Sequence, residues 1–317
     1  MSPGTPPSGY KRFLVLVACV LAALDPAGIR AAVPAPVAQN TAVSSPAPAA
    51  ALPEADVSAG SSAPTLADAE IEQFLLRGKF GRTRGSGKGV TDSLRVTMSD
   101  GTFTHDAHIQ TVDEYRREFR GTQGTEFDFK DSWGFNVAAY KLDRLIGLHM
   151  VPVSVERSYR SKAAAVTWWV DNVIMDEGGR VKKNLQAPPD KAQYWTDQVH
   201  MLRVFDQLIY NTDRNLGNML IGQDWRLWAI DHTRAFRKHT TLRSPGHVTR
   251  CDHQVFEQLK SLDVKLLSRE LGRYLDGGQI KGILARRDEI VKRLESVGAA
   301  ALFDRQPNAV AGAGVQP

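Results

Sequence analysis

The segment NTDRNLGNMLIGQDWRLWAIDHTRAF, residues 211–236, spaces its polar side chains in a way that suits chemistry at a metal ion. Asp213 and Arg214 are adjacent, Asn218 follows Asp213 by five positions, and Asp231 follows an apolar run. Carboxylate and amide oxygens are the hard ligands that Mg²⁺ prefers, and a carboxylate can also serve as a base. Each residue alone would be explained as a helix cap or a turn residue. All of them in this order favour a functional site.

Along the chain, the hydrophobic pattern is typical of strands in the first half and of helices in the second. Residues 79–112 combine glycines, the alternating LRVTM and the pair Asp100-Gly101, which predict a glycine-rich hairpin followed by more strand. NVAAYKLDRLIGL has helical spacing, and MVPVSVERS and AVTWWVDNVI return to the strand pattern. From Asp190 onward the pattern is helical, as in QYWTDQVHMLRVFDQLIYN and QIKGILARRDEIVKRLESV. The composition of residues 177–193 predicts a loop.

The glycine cluster GSGKG, residues 85–89, would let the backbone approach a phosphate closely, because glycine has no Cβ. A Walker A loop is excluded, since Arg82 stands in place of its first glycine and Gly89 in place of its serine or threonine. A plain hairpin turn is the alternative to a nucleotide-binding loop. The order of glycine loop, strand, helix, strands and polar segment favours nucleotide binding. The candidate residues in this cluster are Gly85, Gly87, Lys88 and Gly89.

The layout of the polar segment resembles the catalytic loop of kinases. TDRNLGN is similar to the Asp-Arg-His-x-x-Asn motif of phosphoinositide 3/4-kinases, whereas ordinary protein kinases carry His-Arg-Asp and Asp-Phe-Gly. IDHTRAF resembles the Asp-Asn-Gly-Arg-Gly-Phe motif of secretory-pathway kinases related to Four-jointed, and HipA kinases are more distant relatives. NVAAYKLDRLIGLHMVPVSVER is also similar to a helix and strand of these proteins. The resemblance covers roughly residues 75–295 and is strongest over residues 211–236.

The resemblance implies an α+β, bilobal protein-kinase-like fold, with a strand-rich N-lobe over residues 65–170 and a helical C-lobe over residues 171–303. It also implies ATP and Mg²⁺, or Mn²⁺, bound between the lobes, where ligands commonly bind.

The same resemblance gives each polar residue a role. Asp213 would orient or deprotonate the acceptor hydroxyl, and Asn218 and Asp231 would supply oxygens to the metal. Arg214 would brace the loop by pairing with an acid. Because the transferred phosphoryl group spreads negative charge over its oxygens, positioning and charge stabilisation are most of what the protein must provide.

Two positions depart from the kinase pattern. In kinases the strand after the glycine-rich hairpin carries a lysine that binds phosphates, and the next helix carries a glutamate that holds this lysine. Gln110 occupies the lysine position and Asn136 the glutamate position. The two amides can hydrogen-bond to each other, but without charge they lose much of the attraction for ATP. Lys88 or Lys130 could supply the missing cation from another direction.

Two other groups of residues have competing interpretations. His105 and His108 flank Asp106, but strand alternation puts His105 on the opposite face, so solvated strand side chains are favoured over a metal site. The pair Trp168-Trp169 would either touch an adenine or pack in the core.

The N-terminal sequence predicts export. Lys11-Arg12 precede the apolar run FLVLVACVLAAL and small residues follow, which is typical of a secretory signal peptide over residues 1–31. The run is too short for a stable transmembrane span, which needs about 20 apolar residues. LVAC also matches a lipoprotein cleavage site that would acylate Cys19, although the apolar stretch before it is short. Cys251 then has no partner for an intramolecular disulfide, and an inert thiol is favoured.

Composition predicts the rest of the organisation. With 42% hydrophobic and 24% charged residues the chain is an ordinary globular protein. Residues 32–64 are rich in Ala, Pro and Ser and contain no aromatic residue, which predicts a disordered tether, and residues 304–317 predict a disordered tail. The net charge of +5 is modest and its basic residues are scattered, so no nucleic-acid partner is expected.

Three functions remain open from the sequence. The favoured one is an exported, ATP- and Mg²⁺-dependent phosphotransferase that uses a protein, sugar or lipid hydroxyl as acceptor. A pseudokinase that serves partner recognition is the alternative, and the uncharged Gln110 and Asn136 favour it. A hydrolase or nuclease that uses Asp213 and Asp231 as a metal-binding acid pair is the third, and it predicts no dependence on nucleotide.

Overall fold

The computed structural model of the protein describes residues 66–85, 94–121 and 124–305, which belong to one structural unit, residues 62–317. The predicted signal peptide and tether lie outside the described residues. The helices within these ranges are α1 (Asp68–Arg77), α2 (Gly134–Leu145), α3 (Glu177–Lys182), α4 (Ala192–Leu208), α5 (His253–Ser261), α6 (Val264–Leu271) and α7 (Gly277–Val297). The strands are β1 (Lys79–Gly85), β2 (Leu94–Ser99), β3 (Thr104–Gln110), β4 (Asp113–Gly121), β5 (Gly124–Ser132), β6 (Ser154–Tyr159), β7 (Lys162–Trp168), β8 (Val173–Asp176), β9 (Met219–Gly222), β10 (Leu227–Ala229), β11 (Cys251–Asp252) and β12 (Leu302–Phe303).

The strand-rich part is built on a five-stranded antiparallel sheet with the order β1-β2-β3-β7-β6. The predicted turn at Asp100-Gly101 joins β2 to β3. Gly101 has a φ of +99°, and Oδ1 of Asp100 accepts from the amides of Thr102 (2.9 Å) and Phe103 (2.8 Å). Glycine adopts this backbone conformation without steric cost, which explains the position of the turn.

A second hairpin, formed by β4 and β5, lies between β3 and α2 and makes a separate two-stranded sheet. It is absent from the sequence-based prediction, although DEYRREFRG ends and GTEFDFKDS begins with a glycine, and these two glycines pair. Phe119 and Phe129 stack between its strands with ring centres 4.2 Å apart. Cross-strand aromatic pairs of this kind stabilise a hairpin that has few other neighbours.

Helix α2 forms where its apolar spacing predicts and is tied to both neighbours. Asp143, which is fully buried, accepts hydrogen bonds from the amides of Met150 (2.9 Å) and Val151 (3.1 Å) in the connection to β6. Its other oxygen pairs with Arg144, whose Nε also donates to Asp68 of α1 (2.5 Å). The buried carboxylate is therefore both paired and hydrogen-bonded, as a buried charge must be.

Helix α7 holds the C-terminal end of α4 in place through hydrogen bonds from one arginine. Arg286 of α7 is completely buried, and its Nε donates to the carbonyl of Leu208, the last residue of α4 (2.8 Å). Its Nη1 donates to the carbonyl of Arg237 (3.0 Å). An orphan carbonyl at a helix C-terminus needs such a donor. Strands β8, β9 and β10 form a three-stranded sheet beside this helix.

The α+β fold class, with a strand-rich part followed by a helical part, agrees with the prediction. One local prediction is wrong, because the expected loop at residues 177–193 begins with the helix α3. Asp176 caps it by accepting from the amide of Gly179 (2.7 Å), and Arg180 pairs with Glu177 (2.6 Å). None of the described helices combines the length and apolar character required to cross a membrane.

Candidate functional site

The polar segment begins where α4 ends. Nδ2 of Asn211 donates back to Asp206 of that helix (3.1 Å), and Oδ1 of Asn211 accepts from the amide of Asp213 (3.0 Å). Tyr210 adopts a φ of +50°, which is uncommon for a residue other than glycine. These features turn the chain sharply and hold Asp213 at a defined position after the helix.

Asp213 and Asn218 are held together by a side-chain hydrogen bond. Nδ2 of Asn218 donates to the carbonyl of Asp213 (3.3 Å), and the carbonyl of Asn218 accepts from the amide of Ile230 (3.1 Å). Within the described residues, nothing donates a hydrogen bond to the carboxylate of Asp213 or to Oδ1 of Asn218. The carboxylate of Asp213 and Oδ1 of Asn218 are thus open to a ligand. The bond from the amide of Ile230 also links Asn218 to the residue that precedes Asp231.

Arg214 is the centre of the network that holds this loop. Its Nε pairs with Oδ2 of Asp206 (3.0 Å). Its Nη1 donates to the carbonyls of Asn218 (2.8 Å) and Ile230 (2.9 Å). Its Nη2 lies 3.0 Å from Nε2 of His232. One guanidinium therefore connects α4, the loop and the chain on either side of Asp231.

His232 is a neutral member of this network. Its side chain is buried, and burial together with the nearby charge of Arg214 holds the pKa of His232 well below its ordinary value. Because Arg214 can only donate, Nε2 of the neutral ring accepts and Nδ1 carries the proton.

Asp231 follows β10 in a strained backbone conformation. Its φ is +57°, in the left-handed region that few residues other than glycine adopt. Thr233 donates to its Oδ1 (3.1 Å), and the next amide, that of His232, donates to Oδ1 of Asn136 in α2 (2.8 Å). Strained conformations of this kind persist only where surrounding bonds enforce them, and they cluster at functional sites.

Three carboxylates and one guanidinium form a charge cluster at this place. Burial raises the pKa of Asp213, and the charges of Asp231 and Asp131 raise it further against the opposing effect of Arg234. Asp231 still reaches solvent, but desolvation by its surroundings and the charge of Asp131 raise its pKa, against the hydrogen bond from Thr233 and the charge of Arg214. Ionised together, the carboxylates exceed the guanidinium of Arg234 by two charges, which a divalent cation would balance.

Asp131 is a member of this cluster that the sequence does not indicate. It lies near the end of β5 with its side chain only 3% exposed, and Oδ2 accepts from Nε of Arg234 (2.9 Å). Oδ1 is buried without a hydrogen-bond partner among the described residues. A buried acceptor without a donor is costly, so a water molecule or another donor is expected beside it. Recognising the β4–β5 hairpin is the one sequence signal that would have drawn attention to this residue.

The donor set fits a metal that arrives with phosphates. Across the described ranges, no group of three or more His, Cys, Asp or Glu side chains has the spacing of a metal site. Mg²⁺, however, binds one or two carboxylates together with phosphate oxygens and water. Oδ1 of Asn218 and the carboxylate of Asp231 suit such an ion, and the unmatched Oδ1 of Asp131 suits a nearby donor such as a metal-bound water.

The predicted glycine residues are only partly described. Gly85 ends β1 opposite Leu94, and no atom lies within 4 Å of the place where its Cβ would be. Space alone therefore does not require glycine at this position. Gly87, Lys88 and Gly89 lie outside the described residues.

Gln110 and Asn136 are both buried, with 3% and 6% of their surfaces exposed. Oε1 of Gln110 accepts from the amides of Thr111 (3.0 Å) and Val112 (3.1 Å), in the turn from β3 to β4. Oδ1 of Asn136 accepts from His232, as described above. Each amide oxygen thus supports a backbone segment, and neither residue brings a charge to the cluster.

The histidines of β3 differ from the prediction of solvated strand side chains. His105 is partly buried, stacks on Trp168 with ring centres 3.4 Å apart and contacts Asp171 through Nε2 (2.7 Å). His108 is also partly buried, and burial lowers its pKa to about 4. The stacking places Trp168 in side-chain packing, which is one of its two predicted roles. Cys251 is buried, and burial raises its pKa to about 12, in agreement with an inert thiol.

An open cavity of about 660 Å³ lies away from the charge cluster. It follows the free edge of β6 between α1 and α2, and its walls include Glu72, Tyr140, Lys141 and Arg273. Neither Asp213 nor Asp231 lines it.

Solved structures of kinases share this fold. A Golgi casein kinase is 14% identical with a TM-score of 0.50, over 76% of this chain and 79% of that chain. The Golgi casein kinase with Mn/ADP bound is 14% identical with a TM-score of 0.51, over 76% of this chain and 80% of that chain. The Helicobacter pylori proinflammatory kinase CtkA is 10% identical with a TM-score of 0.40, over 71% and 98%, which is too low to support an argument. No protein-family model and no curated protein sequence matches the chain.

At such low identity the similarity concerns the fold alone. The protein therefore has an atypical kinase-like fold, as the polar segment predicts. The resemblance to phosphoinositide 3/4-kinases and HipA kinases stays a prediction.

Proposed function

We propose that the protein is an exported, ATP- and Mg²⁺-dependent phosphotransferase that acts on a hydroxyl acceptor. The observation that carries the proposal is the convergence of Asp213, Asn218 and Asp231, which Arg214 and Asn136 hold together inside a kinase-like fold. Their order along the chain and their position between the two parts of the fold match what phosphoryl transfer requires.

Each side chain has a physical role in this proposal. Asn218 and Asp231 would hold Mg²⁺, which neutralises charge on the phosphates. Asp213 has an open carboxylate whose pKa is raised, so it is suited to orient the acceptor hydroxyl and take its proton. Arg214 touches loop backbone and Asp206, so it would act by positioning the other groups.

Mn²⁺ is the alternative metal in this proposal. A structural neighbour, the Golgi casein kinase, has been solved with Mn/ADP bound, which supports a nucleotide and a divalent ion in this kind of fold. Export is proposed from the N-terminal sequence, with cleavage near residue 32. Sequencing the N-terminus of the protein recovered outside the cytoplasm tests it, and an intact Met1 would contradict it.

A nucleotide-binding pseudokinase is the second candidate. The observation that favours it is the absence of charge at Gln110 and Asn136, whose amide oxygens accept hydrogen bonds from backbone. This candidate predicts binding of nucleotide without transfer of phosphate to any acceptor.

Thermal unfolding with ATP, in the presence and absence of Mg²⁺ or Mn²⁺, tests the proposed function. A ligand at 100 times its Kd stabilises the native state by about 2.7 kcal/mol, which is readily measured. We expect stabilisation only with metal and nucleotide together, and we expect Asp231→Asn to abolish it. Asn tolerates the left-handed backbone, so the variant should fold.

The matched control is Asp288→Asn, which changes an acid that is 70% exposed on α7. It should keep the stabilisation by nucleotide. A wild-type protein that gains no stability from any metal and nucleotide combination contradicts the proposal, and so does an Asp231→Asn variant that responds like the wild type.

A further inference from the structure

Phosphoryl transfer needs a cation at the phosphates in addition to the metal. The inference about this cation rests on the proposed phosphotransferase function. Gln110 and Asn136 stand where the usual lysine and its glutamate partner are expected, and both are uncharged. Their amide oxygens accept from backbone amides at 2.8 to 3.1 Å. A cation for the phosphates must therefore come from another element.

Arg234 is suited to this task by its position among the carboxylates. Its Nε donates to Asp131, and its charge lowers the pKa of Asp213 against the effect of burial. The charges of Asp213 and Asp231 act on Arg234 in turn. The guanidinium is therefore close to both the acid proposed to orient the acceptor and the acid proposed to bind the metal.

Arg234 also has unused hydrogen-bonding capacity. Its side chain is 35% exposed, and neither Nη nitrogen bonds to any residue in the described ranges. Arg214 is only 12% exposed and already donates from all three nitrogens. Arg237 also has a nitrogen, Nη2, without a hydrogen-bond partner among the described residues, but its side chain is 6% exposed and pairs with Glu126, so it is closed to a phosphate.

Among the described residues Lys130 is the remaining candidate cation from the sequence, but its side chain points elsewhere; Lys88 lies outside the described residues. Successive side chains in a strand face opposite sides, so Lys130 and Asp131 diverge. Nζ of Lys130 lies 5.2 Å from the ring centre of Phe135, in α2.

The β4–β5 hairpin holds the guanidinium of Arg234 in one orientation. Asp131 bonds its Nε, and the rings of Phe129 and Phe119 lie 5.4 Å and 5.9 Å from its Cζ. The backbone is anchored as well, since Thr212 donates from Oγ1 to the carbonyl of Arg234 (2.9 Å). A planar guanidinium that is already oriented loses less freedom on binding a phosphate than a mobile lysine does.

We propose that Arg234 binds the terminal phosphates of a nucleoside triphosphate, between Asp213 and Asp231, and that Asp131 is the residue that positions it. In the absence of nucleotide, Arg234 neutralises part of the carboxylate cluster. A metal ion at Asp231 would neutralise the carboxylate of that residue, and the Nη nitrogens of Arg234 would then be available to donate to phosphate oxygens. The polar segment thus supplies the phosphate-binding cation that β3 lacks, and the β4–β5 hairpin positions it.

The test compares the Mg²⁺-dependent affinities of ATP, ADP and AMP in the wild type and in Arg234→Gln, by calorimetry. One lost charge-assisted contact corresponds to roughly a tenfold to hundredfold weaker affinity. We expect this loss for ATP and a much smaller change for AMP, which has no terminal phosphates. Arg120→Gln is the matched control, because Arg120 lies on β4 with its side chain 82% exposed, and it should leave all three affinities unchanged.

Asp131→Asn keeps the guanidinium but removes its anchor. We expect it to weaken ATP binding less than Arg234→Gln does, and to leave AMP affinity unchanged. A purely structural role of Asp131 would instead weaken all three nucleotides equally, and that result would overturn its positioning role. If Arg234→Gln fails to fold because Asp131 is left buried and unpaired, the double variant Asp131→Asn with Arg234→Gln removes both charges and is measured in the same way.

The outcomes separate this inference from the proposed function. A wild-type protein that binds ATP with Mg²⁺, while Arg234→Gln keeps the same ratio of ATP to AMP affinity, overturns the role of Arg234 alone. A wild-type protein that binds no nucleotide with any metal overturns the proposed function and the inference with it.

Discussion

Oδ1 of Asn136 lies 2.8 Å from the backbone nitrogen of His232 and joins helix α2 of the strand-rich part to the residue that follows Asp231. The contact crosses between the two parts of the fold, so it couples the position of α2 to the strained backbone of Asp231. Asn136, which is predicted to stand at the position of a phosphate-site glutamate, thus holds the loop of Asp231, the proposed metal ligand.

Asn136→Ala is therefore expected to destabilise the protein by about 1 to 3 kcal/mol, because the buried amide of His232 loses its acceptor. Urea unfolding at neutral pH measures the change. Gln254→Ala removes an exposed amide from α5 and should alter the unfolding free energy by no more than about 0.5 kcal/mol. Equal stabilities of the two variants would mean that the contact with His232 does not hold the loop.

The ion pair of Arg214 and Asp206 is expected to contribute to the stability of the protein, because it holds the loop that carries Asp213. The two side chains are 12% and 13% exposed, and removing one partner of a buried pair costs roughly 3 to 5 kcal/mol. Arg214→Met and Asp206→Asn should each lower the free energy of unfolding. The decrease should be larger for Arg214→Met, because the carbonyls of Asn218 and Ile230 also lose their donor. A double-mutant cycle measured by urea unfolding should show a coupling of about 1 to 3 kcal/mol. Additive losses would contradict a direct interaction between the pair.

The limits of the sequence are clearest at the carboxylate cluster. Asp213, Asn218 and Asp231 are recognisable because their spacing within one segment carries the signal. Asp131 and Arg234 are 103 residues apart and meet only because the β4–β5 hairpin folds back on the polar segment. Most side chains of its two nine-residue strands are exposed, so the hairpin lacks the apolar alternation that predicts a strand, and one buried acid adds no such pattern.

The fold shows the same contrast between local and distant information. The Asp100-Gly101 turn and helix α2 follow from local preferences, since a turn needs glycine at a positive φ and an amphipathic helix needs apolar spacing. The sequence does not predict helix α3, because its two glycines are poor helix formers and its stability depends on the cap at Asp176. Gln110 accepts hydrogen bonds from the two residues that follow it, whereas the partner of Asn136 lies 96 residues away along the chain, so the sequence gives no indication of that contact.

The low pKa of His108 predicts a stability that depends on pH. Burial lowers this pKa from 6.5 to about 4, so the unfolded chain binds the proton more readily than the folded chain. The stability due to a neutral His108 is complete above pH 6.5 and declines as the pH falls toward 4. Since the side chain is only partly buried, we expect a loss of about 1 to 2 kcal/mol between pH 7 and pH 5.

Urea unfolding of His108→Gln at both pH values measures this contribution, because glutamine does not titrate. The difference between wild type and variant should shrink or reverse as the pH is lowered. His247→Gln removes an exposed histidine and should follow the wild-type profile. A His108→Gln variant that follows the wild-type profile would show that His108 is not kept neutral by burial.

Asp213→Asn is expected to separate binding from chemistry. Nothing in the described residues donates a hydrogen bond to the carboxylate, so the variant should fold with wild-type stability and still bind ATP with Mg²⁺. Loss of a positioned base, whose contact matters mainly in the transition state, should slow phosphoryl transfer by ~10² to 10⁴-fold. Transfer from labelled ATP to protein, sugar and lipid acceptors measures the rate, and calorimetry measures nucleotide affinity. The exposed-acid control Asp288→Asn should match the wild type in both. A wild type that binds ATP but transfers no phosphate, with an Asp213→Asn variant that behaves identically, would favour the pseudokinase.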